Sequence, residues 1–216
     1  MTRSPLEPRL RKFPLVVSGR DQAVLRLDDL SARARFGCKG PGAEPWLAAA
    51  GYSVPPAPNS AILDANGIFV ARLAASEFLV EAVEARAVEV QTVVGAEATR
   101  RVEASLQQLR AASRPQNVYP VARQDLVVGI EGSAIQTLLR QICSVDFVPL
   151  FESSGPNAGP VVLTSMVGVG VVAWPRRTEG GSMLTLWLDP SFAHYFWTTL
   201  LEVGRGVGAM VIGSNI

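Results

Sequence analysis

Leu126, Val127, Val128 and Ile130 form a short apolar run of strand type, interrupted by Gly129 and closed by Gly132. Ile135, Leu138, Leu139 and Ile142 then recur at i, i+3, i+4 and i+7. A short apolar run that gives way to a 3.6-residue period across a glycine is a strand, a turn and an amphipathic helix. Together they read as one packing unit. Each of the four helical side chains contributes about 1.5–3 kcal/mol when buried.

The same order of elements occurs earlier in the chain. The segment RARFGCKGPGAEPWLAAAG reads as a strand, a turn at Gly40-Pro41-Gly42 and a short helix carrying Trp46 and Leu47, with Gly51 as its stop. A loop follows with Pro55, Pro56 and Pro58, then two strands at about 67–73 and 77–83. A helix is expected near 95–112, with Val102, Leu106 and Leu109 on its buried face and Glu97–Arg101 as an i, i+4 ion pair. Tyr119–Ala122 closes this half as a strand. The second half repeats the order: strand 125–130, helix 132–143, a Ser/Gly/Pro loop at 152–160, strands 161–174 and 182–189, and a helix over 190–204. The turn between those strands holds Thr178, Gly180 and Gly181, and Met210-Val211-Ile212 offers a closing strand. The expected fold is α+β: two β-α-β-β-α(-β) ferredoxin-like halves, about 31–117 and 118–216, in one domain over 31–216. Residues 1–30, with Pro5, Pro8, Pro14 and the basic Arg9, Arg11 and Lys12, read as an extended N-terminal arm, either solvated or lying on a partner.

The chain has 216 residues and a net charge of +1, which does not make the basic footprint of a nucleic-acid binder. Hydrophobic residues reach 48% against 18% charged, so a sizeable core is available. The longest apolar run, Val161 to Trp174, is broken by Thr164, Ser165, Gly168 and Gly170 and falls short of the about 20 residues that cross a bilayer. The N-terminus lacks the apolar core of a signal peptide. A soluble, cytoplasmic protein without a membrane contact is expected. Cys38 and Cys143 make neither a disulfide framework nor a four-ligand zinc site, and both are expected reduced, with Cys143 slow to react.

Motifs that carry chemistry are sparse. His194 is the single histidine, on the polar side of the last helix with Thr198 and Glu202; no nucleophile-elbow pattern accompanies it. Gly168-Val-Gly170-Val-Val-Ala173 has the shape GxGxxA, yet its glycines lie in a β-branched run rather than opening a helix, so a strand with close-packed backbone is expected there. No residue is singled out as catalytic, metal-binding or cofactor-binding. The last helix carries Asp189 as N-cap and Pro190 at N1. Phe192, Phe196, Leu200 and Val203 form one stripe, and Ala193, Trp197 and Leu201 widen it past half the circumference. An arc that wide means either a helix buried inside the fold or a flank that meets another chain; Trp197 and Leu201 are then the candidate partner interface.

The stretches RFGCKGPGAEPWLAAAGYSVPPAPN and VARLAASEFLVE, then YPVARQDLVVGIEGSAIQTLLRQICSVDF, GVGVVAWPRR and LTLWLDPSFAHYFWTTLLEV, cover most of 33–204. In their wording and spacing they resemble the gamma subunit of heterotetrameric sarcosine oxidase. The resemblance implies a fold similar to the folate-binding domain of the glycine-cleavage aminomethyltransferase. It also implies alpha, beta and delta subunits as partners in a complex that demethylates sarcosine to glycine, transfers the one-carbon unit to tetrahydrofolate and forms hydrogen peroxide. FAD, FMN, NAD, tetrahydrofolate and zinc are then held by the partners and none by this chain. Catalytic transferases of that fold carry a Gly-Gly-x-x-Asp-Asp type strand; Met166–Ala173 has the glycines without the carboxylate, and the transferases' additional C-terminal domain is missing. A supporting, non-catalytic subunit is therefore the leading expectation. A stand-alone tetrahydrofolate-binding or aminomethyltransferase-like protein is the alternative, and a one-carbon scaffold domain without ligand binding is the third.

Overall fold

The chain is seen in a computed structural model that describes residues 4–6, 25–83 and 89–211. It divides into two compact units. One comprises Arg33–Arg123; the other joins the described residues before Arg33 to those from Gln124 onward. The architecture is mixed α+β with largely antiparallel sheets.

In the first unit, β2 (Arg35–Lys39) leads through the Gly-Pro-Gly turn into α1 (Ala43–Ala49). A hairpin of β3 (Ser60–Leu63) and β4 (Ile68–Ala74) follows, then β5 (Glu77–Ala82), α2 (Glu89–Arg110) and β6 (Tyr119–Val121). The strands run in the order β6-β2-β5-β4-β3. The alternation of Phe36 and Cys38, of Ile68 and Val70, and of Phe78 and Val80 puts these side chains on one face, under Val102 and Leu109 of α2. The turn needs its glycines: Gly40 has φ +117, and a Cβ on Gly42 would lie 2.4 Å from the Gln116 carbonyl oxygen.

The expected Glu97–Arg101 pair does not form. Glu97 pairs with Arg100 at 2.6 Å. The Arg101 guanidinium instead donates to the Ala50 carbonyl at 2.7 Å, just past the end of α1, and lies 4.5 Å over the Tyr52 ring. A helix C-terminus with orphan carbonyls and an aromatic face outcompetes an exposed pair of about 0.3–0.5 kcal/mol.

In the second unit, β7 (Leu126–Glu131) and α3 (Ile135–Ile142) are the strand and helix foreseen. Then come α4 (Val148–Glu152), β8 (Ala158–Pro160), β9 (Val162–Met166), β10 (Val169–Thr178) and β11 (Gly181–Leu188). After a 3-10 turn at Pro190–Phe192, the chain forms α5 (Ala193–Arg205) and β12 (Ala209–Val211). The Asp189 carboxylate accepts from the Ser191 amide at 2.8 Å; the Ser191 hydroxyl first and this amide second hold its pKa below the ordinary value.

Two expectations are corrected here. The strand foreseen over 161–174 is two strands joined by a hairpin. The arm foreseen over 1–30 is in part fold: β1 (Leu25–Asp29) lies inside the sheet, whose order is β12-β1-β7-β11-β10-β9. Leu6 is buried in the same core, and Ser4 donates to the Asp29 carboxylate. The remainder of the arm and Ile212 lie outside the described residues. Leu25, Leu27, Leu126, Val128, Ile130, Leu184, Leu186 and Leu188 alternate onto the face covered by α3 and α5.

Candidate functional site

The opposite face of the second unit's sheet collects polar and aromatic side chains. Antiparallel register turns period-two sequences into rows across strands. One row is Arg26, Glu131, Met183 and Arg176; the next is Asp28, Gly129, Thr185 and Trp174; a third is Val127, Trp187, Val172 and Leu163. The Arg176 guanidinium stacks 4.1 Å from the Trp174 ring centroid and approaches the Met183 sulfur at 3.1 Å. Asp28 is buried and pairs with Arg26 at 3.2 Å. The Thr185 hydroxyl is buried and has no hydrogen-bond partner among the described residues. Trp174, Arg176, Asp28 and Thr185 are nearly closed to solvent, so stacking and charge here are contacts within the fold. The face places no nucleophile beside a base.

Sequence reasoning missed this face. Arg26 and Asp28 stood in the segment assigned to the arm, and only β-sheet register brings them beside β7. The signal that could have found them is the alternation Leu25-Arg26-Leu27-Asp28, a half-buried strand of period two.

The GxGxxA stretch is a hairpin tip. Val167 has φ 45 and Gly168 φ 81, the two left-handed residues of a type I′ turn. The close-packed backbone expected there is not found: a Cβ at Gly168 or Gly170 would meet nothing within 4 Å. The tip is held by the Val167 amide donating to the Ile142 carbonyl at 2.8 Å and by the Tyr195 hydroxyl donating to the Val167 carbonyl at 3.0 Å. Gly168→Ala should therefore lose about 1–2 kcal/mol from backbone conformation alone, while Gly170→Ala in the isolated chain should stay within about 0.5 kcal/mol. Urea unfolding of the two variants checks this. Equal losses would show that packing, not φ, sets the cost.

His194 is exposed, with Nδ1 3.3 Å from the Thr198 hydroxyl. Among the described residues no group of three His, Cys, Asp or Glu side chains has metal-binding geometry. Trp197 and Leu201, the foreseen partner interface, are 2% and 6% exposed and belong to the core of the second unit. The wide arc has two covers: α5 lies on the sheet with one flank and beside α3 with the other. The large apolar side chains that α5 and its preceding turn leave half exposed are Tyr195 and Phe192.

Both cysteines are free thiols. Burial, then the charge of Glu77, pushes the Cys38 thiol from 9.0 to about 12. Cys143 is only half-buried and lines a surface cleft of about 350 Å³ with Gln136, Arg140 and Asp146. Cys143 is the more accessible of the two thiols and should be alkylated at pH 8 well before Cys38. A thiol held neutral in the fold keeps a proton that the unfolded chain releases above pH 9. The Cys38 contribution to stability is thus complete below about 9 and declines toward 12, by about 1.4 kcal/mol per pH unit. Burial also raises the Tyr52 pKa and steepens the same limb. Denaturant unfolding between pH 8 and 11 should show a shallower decline for Cys38→Ala than for the parent chain.

No protein-family model matches the sequence, and no curated protein does. Among solved structures, the fold is shared with a chain of heterotetrameric sarcosine oxidase from Corynebacterium sp. U-96, determined in complex with pyrrole 2-carboxylate. The identity is 21%, the match covers 97% of this chain and 98% of that one, and the TM-score is 0.66. Glycine cleavage system aminomethyltransferase T from Bartonella henselae shares it at 16% identity and a TM-score of 0.54, over 88% of this chain and 48% of that one. The chain thus spans about half the length of that transferase. At these identities the likeness establishes the fold.

Proposed function

We propose that this chain is a gamma-type, non-catalytic subunit of a heterotetrameric sarcosine oxidase. It supports oxidative demethylation of sarcosine to glycine, with tetrahydrofolate accepting the one-carbon unit and hydrogen peroxide formed. In this reading its partners are alpha, beta and delta subunits, which hold FAD, FMN, NAD, tetrahydrofolate and zinc, and the complex works in the cytoplasm, where Cys38 and Cys143 stay reduced. The observation that carries the reading is coverage: the likeness to the sarcosine oxidase chain spans 97% of one chain and 98% of the other. Two further points support it. The β9–β10 tip presents glycines and apolar residues, with no carboxylate to orient an amine or move a proton. The first unit's strand order β6-β2-β5-β4 is that of a ferredoxin-like half, and β7, β11 and β10 repeat its central part, in keeping with a duplication.

The alternative is a stand-alone tetrahydrofolate-binding, aminomethyltransferase-like protein, favoured by the fold shared with glycine cleavage system aminomethyltransferase T over 88% of this chain. Two measurements separate the readings. Co-expression with a large flavoprotein subunit should yield a complex containing this chain, with sarcosine-dependent peroxide formation that the chain alone does not show. Titration of the isolated chain with tetrahydrofolate should give no binding; micromolar affinity would overturn the leading reading in favour of the alternative.

A further inference from the structure

Among the described residues, β9 is an edge strand with one open side. It pairs with β10 on one side only, in the register Met166↔Val169, Thr164↔Val171 and Val162↔Ala173, closed by the two-residue turn. In such a hairpin those pairs exchange the hydrogen bonds, so the backbone groups of the intervening residues point the other way. The N–H and C=O of Leu163 and Ser165 therefore face outward, and no hydrogen bond reaches them among the described residues.

Native edges are protected by charge, proline, a bulge or shortness. Val162–Met166 has no charged residue and no proline, and its register to β10 is unbroken. The first unit's edge strand β6 shows the contrast: it is three residues long and its middle residue is Pro120. The side chains of β9 repeat the message. Along the row Val127, Trp187, Val172 and Leu163, burial is complete at the first two, partial at Val172, and gives way to 55% exposure at Leu163. An apolar row that runs off the covered sheet onto an open edge is a surface that another strand would finish.

We propose that the free edge of β9 is a β-augmentation site: an extended, uncharged segment of another polypeptide adds to it as a further strand, bonding to the Leu163 and Ser165 backbone and packing an apolar side chain on Leu163. The chemistry of the edge selects the occupant. A strand answers the outward N–H and C=O groups, while a helix leaves them unpaired in a buried contact. The proposal rests on the assembly reading above, because the segment belongs to a partner subunit.

The test compares the isolated chain with the assembled complex by hydrogen–deuterium exchange of peptides spanning 161–167, together with the variants Ser165→Pro and Leu163→Lys. Proline at 165 removes only an outward donor, so the hairpin keeps its ladder. The isolated variants are expected to unfold like the parent. The peptide should exchange about tenfold or more slowly in the complex than in the free chain, and each variant should weaken assembly about tenfold or more. A complex that forms normally with either variant, or whose 161–167 amides exchange as in the free chain, overturns the edge proposal and leaves the assembly reading standing. Slow exchange in the free monomer shows the edge covered by the chain itself, and concentration-dependent protection with dimer formation shows a second copy; both also overturn it. If the wild-type chain forms no complex at all, the assembly reading falls and the edge proposal falls with it.

Discussion

Trp197→Ala is expected to destabilise the isolated chain by about 3–5 kcal/mol. The side chain is 2% exposed and sits among Phe196, Leu200 and the apolar face of the sheet, where truncation leaves a cavity that the neighbours cannot fill. A domain is stable by only about 5–15 kcal/mol, so the variant should unfold at much lower urea. Trp197→Phe should be far milder. The indole Nε1 has no hydrogen-bond partner among the described residues, so phenylalanine gives up volume but also removes an unsatisfied buried donor. A loss within about 2 kcal/mol is expected, since that gain offsets part of the lost volume. Circular dichroism during urea unfolding of both variants is the measurement. If Trp197→Ala unfolds like the parent yet loses assembly, the side chain acts at an interface after all.

Glu81→Ala is expected to cost a comparable 3–5 kcal/mol, for an electrostatic reason. Glu81 is fully buried on β5 and receives Arg35 Nε at 2.9 Å and Arg33 NH1 at 3.2 Å. Arg35 is itself buried, so removing the carboxylate takes a counter-charge from a guanidinium that water cannot reach. A double change, Glu81→Leu with Arg35→Met, should recover most of the loss, because it removes both desolvated charges together. The single variant's loss should hardly change between about 0.1 and 1 M salt, since buried pairs are poorly screened. A loss under about 1 kcal/mol in Glu81→Ala, or one that vanishes in salt, would show the pair to be wet and superficial.

The sequence by itself determined what is local. The stripe Ile135, Leu138, Leu139 and Ile142 is buried at all four positions, because a 3.6-residue period leaves a helix one face to hide. The Gly-Pro-Gly turn, the Asp189 cap and the strands at 126–131 and 181–188 were legible for the same reason: turn chemistry and short-range alternation act within a few residues. Tertiary structure decided what depends on pairing between distant segments. Leu25–Asp29 became an interior strand because β7 and β12, far along the chain, supply its ladders. Trp197 and Leu201 went inward because α5 packs into a core shared with α3 and the sheet, which a single-helix count cannot state. The glycine stretch at 168–170 turned out to be a hairpin tip because β10 folds back on β9, a pairing that composition cannot state. Arg35–Glu81, Arg26–Asp28 and the Trp174–Arg176 stack follow from register, and the open edge at Leu163 and Ser165 exists because β9 is last in its sheet. A period identifies which face of an element is apolar; only the assembled sheet determines which neighbour meets that face, and where the neighbours end.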